Sequence, residues 1–330
     1  MKKRWNSFKL KSVALSAVIL ALVIMFSGCA RVSDMIRIEN IKSGDAKFVS
    51  GEMIMGGEDG KLFFYDLSNG EKKDTEIHSN WSAILPEENI VVFSNGECET
   101  GICKLDDKQK IVWSEIIFRK DCDLRIDPAV VKINDTYYLT STRINGEINR
   151  VDASKENGIY TLSLYSSKDL RKWTYISDII KEKNNVEDID LINDDGKLRV
   201  IFERETVDKG ASAIATMVSE DGGKSWKDAI TLVDDGNDNE PAAFNKTNSG
   251  YTLFYSSDAK QKGKSYEGAS AYMATFDQNL KPAKTEMLTT NPESGILLYD
   301  VIAGKDSAKI LFSEKYLTLN NLVVEDISLP

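Results

Sequence analysis

The sequence predicts an all-β protein, a six-bladed β-propeller, on three observations. No window sustains a helical period; short apolar runs rich in Val, Ile, Tyr and Phe alternate with Asn/Asp/Gly/Lys turns. Those runs fall into groups of four. An acidic residue also opens the same short pattern three times: Asp127 in RIDPAVVKINDTYYLTST, Asp188 in EDIDLINDDGKLRVIFE and Glu240 in NEPAAFNKTNSGYTLFYS. The separations are 61 and 52 residues, with a further 60 to Asp300. Each copy runs carboxylate, apolar strand, turn, second apolar strand, so the three carboxylates take equivalent places in successive supersecondary units. Equivalent places in a radial repeat converge on an axis.

The chain opens with an address. Lys2, Lys3, Arg4, Lys9 and Lys11 precede an apolar stretch over residues 13–26, short for a membrane span, that runs into Ser27, Gly28 and Cys29. Residues 1–28 are expected to be a signal peptide, 29–34 a tether and 35–330 a single propeller domain. The Ser-Gly-Cys ending resembles a bacterial lipobox. That resemblance implies cleavage before Cys29, lipidation of this cysteine with palmitate among its acyl chains, and a body anchored to the cell membrane on its extracytoplasmic side. A plain transmembrane anchor is the alternative, and it exports the body equally.

From Ala46, the runs AKFVS, EMIMGGE, KLFFYDL and KDTEI make a first unit; from Trp81, WSAIL, NIVVFS, GICKLD and KIVWSEII make a second. Units opening at Asp127, Asp188 and Glu240 follow. The last unit, near Tyr299 and Asp300, has only LLYDVIA, AKILFSE and NNLVVEDISL. MIRIENI, residues 35–41, is expected to supply its fourth strand and close the ring, leaving no exposed sheet edge. A five-bladed ring is the alternative.

Without the five cations of the first 28 residues, 37 Lys and Arg face 52 Asp and Glu, a formal charge of −15. Such a surface repels phosphate backbones and excludes nucleic acid as a partner, along with polyanionic substrates in general. Three cysteines remain after Cys29. An oxidising compartment permits a Cys98–Cys103 disulfide across GECETGIC, with Cys122 left over. No second Cys/His pair accompanies them and His78 is the sole histidine, which argues against a zinc site and a His-based triad.

SEDGGKSW, residues 219–226, falls between the third and fourth strands of its unit and resembles the Asp-box of sialidase-type propellers. SKDLRKW, residues 167–173, sits at the equivalent turn one unit earlier. In both, the Asp is expected to bind turn N–H groups while Trp226 or Trp173 packs between sheets, a structural role rather than a sugar platform. These turns lie on one face of the disc. Long insertions at residues 143–159, 203–210 and 256–268, between strands two and three, lie with the carboxylates on the other, as the walls of an acidic pocket would.

The order Asp, Asp, Glu also resembles glycoside hydrolase family 43. Asp127-Pro128 is similar to that family's general-base motif, Asp188 with the following NDDGK to its second-Asp motif, and Glu240-Pro241 to its general acid. The resemblance spans about residues 120–260. It implies that Asp127 activates water, Glu240 protonates the leaving oxygen, and Asp188 tunes and orients Glu240; Glu187 and Asp190 are alternatives to Asp188. An inverting reaction requires the acid and base about 6.5 to 9.5 Å apart. Sialidases use three arginines on an anionic sugar; Arg125 resembles the first of them, and Arg143 and Arg204 could face the same pocket, but the acidic chain disfavours such a substrate.

Arg125, Arg143, Trp81, Glu203 and Asp300 are the candidate substrate-binding residues. No metal ligand set or cofactor is assigned, although a calcium ion held by carboxylate oxygens is chemically compatible. The expected function is a membrane-anchored extracytoplasmic glycoside hydrolase acting on a neutral glycan. The alternative is a noncatalytic propeller lipoprotein that binds a glycan, peptide or protein partner.

Overall fold

The computed structural model describes residues 35–329 apart from residues 96, 120–121, 148–156, 184, 206–210, 260–265, 267, 291–294 and 315–320. The expected signal peptide, the tether and Cys29 lie outside the described residues. Among the described residues, twenty-four strands form six antiparallel sheets of four, and the one helical element is a 3-10 turn at Pro86–Glu88. Blade 1 holds β2 (Ala46–Ser50), β3 (Met53–Glu58), β4 (Lys61–Asp66) and β5 (Lys72–His78). Blade 2 holds β6 (Trp81–Leu85), β7 (Ile90–Ser94), β8 (Glu99–Leu105) and β9 (Ile111–Arg119).

Blade 3 runs through β10 (Leu124–Ile133), β11 (Thr136–Asn145), β12 (Ile159–Ser167) and β13 (Thr174–Glu182). Blade 4 comprises β14 (Val186–Asp194), β15 (Lys197–Glu205), β16 (Ser212–Ser219) and β17 (Ile230–Val233). Blade 5 comprises β18 (Asp238–Thr247), β19 (Gly250–Asp258), β20 (Ala269–Asp277) and β21 (Pro282–Thr290). The sixth sheet has the order β1-β24-β23-β22, from Met35–Ile38, Asn321–Ser328, Ser307–Glu314 and Ile296–Ala303. Met35 pairs with Glu325 and Ile38 with Leu322, so the N-terminal strand completes the last blade and six blades, not five, make the ring.

The alternation that reads as strand in the sequence places apolar side chains between sheets. Among the described residues six buried apolar clusters result, each centred on a boundary between neighbouring blades, and the one between blades 6 and 1 also takes in Tyr266 and Ala269 of blade 5. Phe202 of blade 4 packs with Ile126 and Leu162 of blade 3; Phe312 of blade 6 packs with Phe254 of blade 5. The Asp-box acts as a clip in this arrangement. Asp221 accepts the Ser225 N–H at 2.9 Å and the hydroxyls of Ser225 and Ser219 at 2.6 and 2.8 Å, and these bonds hold its carboxyl down at about 2. Across the blade boundary, Ser177 of β13 donates to the Gly223 carbonyl at 2.6 Å and accepts from the Trp226 indole at 3.3 Å.

The cysteines depart from expectation. The disulfide joins Cys98 to Cys122, not Cys103. Residues 99–105 are one extended strand, so Cys98 and Cys103 are separated by about 16 Å of chain, far beyond disulfide reach. Cys103 is fully buried between blades 1 and 2, and burial pushes its thiol up to about 12.

Candidate active site

Five of the six first strands carry a β-bulge, and the bulges aim the carboxylates. Register shifts occur at Phe48/Ser50, Ile126/Ala129, Glu187/Asp190, Pro241/Ala243 and Leu298/Asp300. An extra residue in one strand breaks the alternation and re-aims its side chain, a device frequent beside active sites. Asp127 and Asp188 lie within their bulges in left-handed backbone conformation, φ 45° and 48°. The Asp188 N–H donates to Asp127 Oδ2 at 3.2 Å, linking blade 3 to blade 4.

These strand entries surround a cavity of about 1260 Å³. Asp127, Asp188, Glu240, Glu203, Asp300 and Trp81 all line it. The lining otherwise draws on strand starts and on connections between strands two and three, among them Asp59, Glu205 and Tyr266. The Asp-box turn lies between strands three and four, at the other end of its blade. Most of the three long insertions, residues 148–156, 206–210, 260–265 and 267, lies outside the described residues.

Within the cavity, carboxylate oxygens of Asp188, Glu203 and Glu240 come within 4.8 Å of one another. Carboxylates gathered this closely favour protonation of one or more of them, and a hard cation such as calcium is compatible with the spacing. Glu203, on β15 opposite Glu187, is 5% exposed and hydrogen-bonds Asp188. Burial, then the charges of Glu240 and Asp188, hold the Glu203 carboxyl well above its ordinary range. Burial followed by Asp188 and Asp238 does the same for Glu240, and burial followed by Asp188 and Glu187 for Asp127. Asp238, on the strand of Glu240, rises to about 6 through burial, opposed by the Ser212 hydroxyl, which donates to it at 3.1 Å.

A second group lies at the junction of blades 1 and 6. Lys47 on β2 donates to the Tyr299 carbonyl at 2.8 Å and stands 3.7 Å from Asp45. Burial disfavours its ammonium, but Asp45, Asp300, Asp188 and Asp190 together hold its pKa above the ordinary value. Asp190 is raised to about 7 by burial, against the pull of Lys47. Asp300 accepts the N–H groups of Phe48 and Val301, each at 2.8 Å; burial still raises it. Of these, Asp190 stands out in the sequence only as an alternative to Asp188, and Lys47, Asp45 and Asp238 do not stand out there. Asp45 had the same signal as the trio, an acid at a first-strand entry, one unit before Trp81.

Arg125 and Arg143 do not line the cavity. They are direct cross-strand partners on β10 and β11, so they share one face of that sheet, and on it Arg125 meets Phe118 of blade 2. Arg125 is fully buried, donates to Ser141 at 2.9 Å and lies 5.1 Å from the Phe118 ring centre in blade 2. Arg143 stands 3.9 Å from Asp178. Arg204 makes a two-pronged pair with Glu182 at 2.6 and 2.7 Å. Trp81 is half-buried, with one side on the cavity and the rest against the core between blades 3 and 4.

No protein-family model matches the sequence, and no curated protein matches it. Among solved structures, the chain is similar to beta-1,2-mannobiose phosphorylase from Listeria innocua in its beta-1,2-mannobiose complex, at 14% identity and TM-score 0.49 over 89% of this chain and 90% of that one. It is also similar to the GH93 alpha-L-arabinofuranosidase of Fusarium graminearum with arabinobiose, at 10% identity and TM-score 0.48 over 88% and 97%. A third is the alpha-L-arabinanase of Penicillium chrysogenum complexed with arabinobiose, at 12% identity and TM-score 0.47 over 89% and 97%. Likenesses this distant leave the chemistry to be argued from this chain's own residues.

Proposed function

We propose that this protein is a glycoside hydrolase, held at the extracytoplasmic side of the membrane through Cys29 and acting on a neutral glycan with inversion. The observation that carries the reading is the meeting of Asp127, Asp188 and Glu240, from three neighbouring blades, in one cavity large enough for an oligosaccharide. In this reading Glu240, kept protonated by burial and neighbouring charge, protonates the glycosidic oxygen as the bond to the anomeric carbon breaks. Asp127, in the ionised form that the Asp188 N–H favours, takes a proton from the water that attacks the opposite face, and Asp188 connects the two, its N–H on Asp127 and its carboxylate beside Glu240. Trp81 offers a stacking surface for a sugar ring.

A noncatalytic binding role has one observation in its favour: the Lys47 ammonium already occupies the acidic side of the cavity at Asp45, Asp190 and Asp300. A panel of aryl glycosides and oligosaccharides, tested with wild type and Glu240→Gln, decides between the two. The expected result is turnover of at least one substrate, reduced about 100-fold or more by the substitution on glycosides with poor leaving groups. Proton NMR of the first-formed anomer then tests inversion. Turnover indifferent to Glu240→Gln removes it as the acid, and no turnover across the panel leaves the binding role.

A further inference from the structure

Asp127 is a residue with a Cβ held at φ 45° inside the bulge of β10. Such a conformation persists only where the surroundings over-determine it. For Asp127 they do so from blade 2. The Cys98–Cys122 disulfide joins the β7–β8 connection to the crossover that enters β10. Three residues further on, the Arg125 N–H donates to the Glu97 carbonyl at 3.0 Å, and the Ser94 hydroxyl donates to the Arg125 carbonyl. The Arg125 side chain is the largest fully buried one among the described residues, fixed by Ser141 on one side and the Phe118 ring on the other. A guanidinium is costly to bury, and an apolar residue would fill such a space more cheaply. Blade 4 does use one: two residues before Asp188 stands Val186, fully buried, and no cysteine lies on that approach.

From this asymmetry we propose that the Cys98–Cys122 bridge and the buried Arg125 form one clamp that fixes the entry of β10 and thereby positions the Asp127 carboxylate in the cavity. Neither touches substrate; both act through the backbone of Asp127. The inference rests on the reading of Asp127 as the base, for which a displacement of about 1 Å costs on the order of 100-fold in rate. An exported chain acquires the bridge on oxidation, so the clamp also makes the site complete only in its oxidised form.

The test uses the full chain in three forms: wild type before and after reduction by an added dithiol, Cys98→Ser with Cys122→Ser, and Arg125→Lys with the bridge intact. Amide hydrogen exchange over residues 124–129 is compared with residues 237–242, the equivalent segment around Glu240. kcat and KM are measured on whichever glycoside wild type hydrolyses. The expected result is faster exchange confined to 124–129, with kcat lower by about 100-fold and KM within about 3-fold. Exchange unchanged at 124–129, or rising equally in both segments, overturns the clamp; local exchange that rises while kcat holds overturns its role in positioning the base. If wild type hydrolyses nothing, the base reading falls and the exchange comparison still decides whether the clamp exists.

Discussion

At the scale of single residues, the acidic positions were legible as types and illegible as directions. An acid near the start of the first strand is visible in the sequence for every unit but the second, which opens at Trp81. Which of Glu187, Asp188 and Asp190 points inward depends on a bulge, and with alternation broken all three line the cavity. Arg125 shows the reverse case: a charge near a carboxylate motif reads as ligand-facing, but pleat parity turns it between blades. The cavity acids also make a stability prediction. The folded-state carboxyl of Asp190 lies near 7, above its unfolded value of about 4, so between those pH values the folded protein holds a proton that the unfolded chain has released. Stability from this group is complete below about pH 4 and declines as pH rises toward 7; Asp127, Glu203 and Glu240 add in the same sense. Thermal melts are expected to give a lower Tm at pH 8 than at pH 5, with Asp190→Asn flattening the difference. A Tm that rises steadily over that interval in wild type would contradict the assignment.

At the scale of elements, strands and turns followed from composition and spacing because each depends on local chemistry. The Asp-box turn is the clearest instance, its Asp, Ser and Gly residues satisfying one another within a few positions. Disulfide pairing was not legible, since it depends on how far β8 extends and on which crossover passes beside it. One prediction belongs here. Gly223 has φ 88°, and a Cβ there would lie 2.1 Å from Leu164 Cδ2, in the core between blades 3 and 4. Gly223→Ala is expected to destabilise by about 1–3 kcal/mol, read as a lower denaturation midpoint, from overpacking and an unfavourable backbone region together. The cavity lies at the other end of the blade, so ligand binding below the melting range is expected to be retained.

At the scale of the whole molecule, the six-fold count came from four strands per unit and from the missing strand in the last one. β1 fills that place, pairing antiparallel with β24 from Met35 to Ile38. Deleting residues 1–38 is expected to lower Tm by several degrees and to promote self-association through the bared edge of β24, which size-exclusion chromatography would detect. A monomer with unchanged Tm would show that the ring does not depend on this strand. The closing pair has a consequence in time as well. Met35 is among the first residues of the propeller to be synthesised and its partner Glu325 among the last, so a nascent chain cannot shut its ring until the sixth blade has been made. The blades can form one after another as the chain emerges, but the circle waits for its final strand, a slow, late event of high contact order.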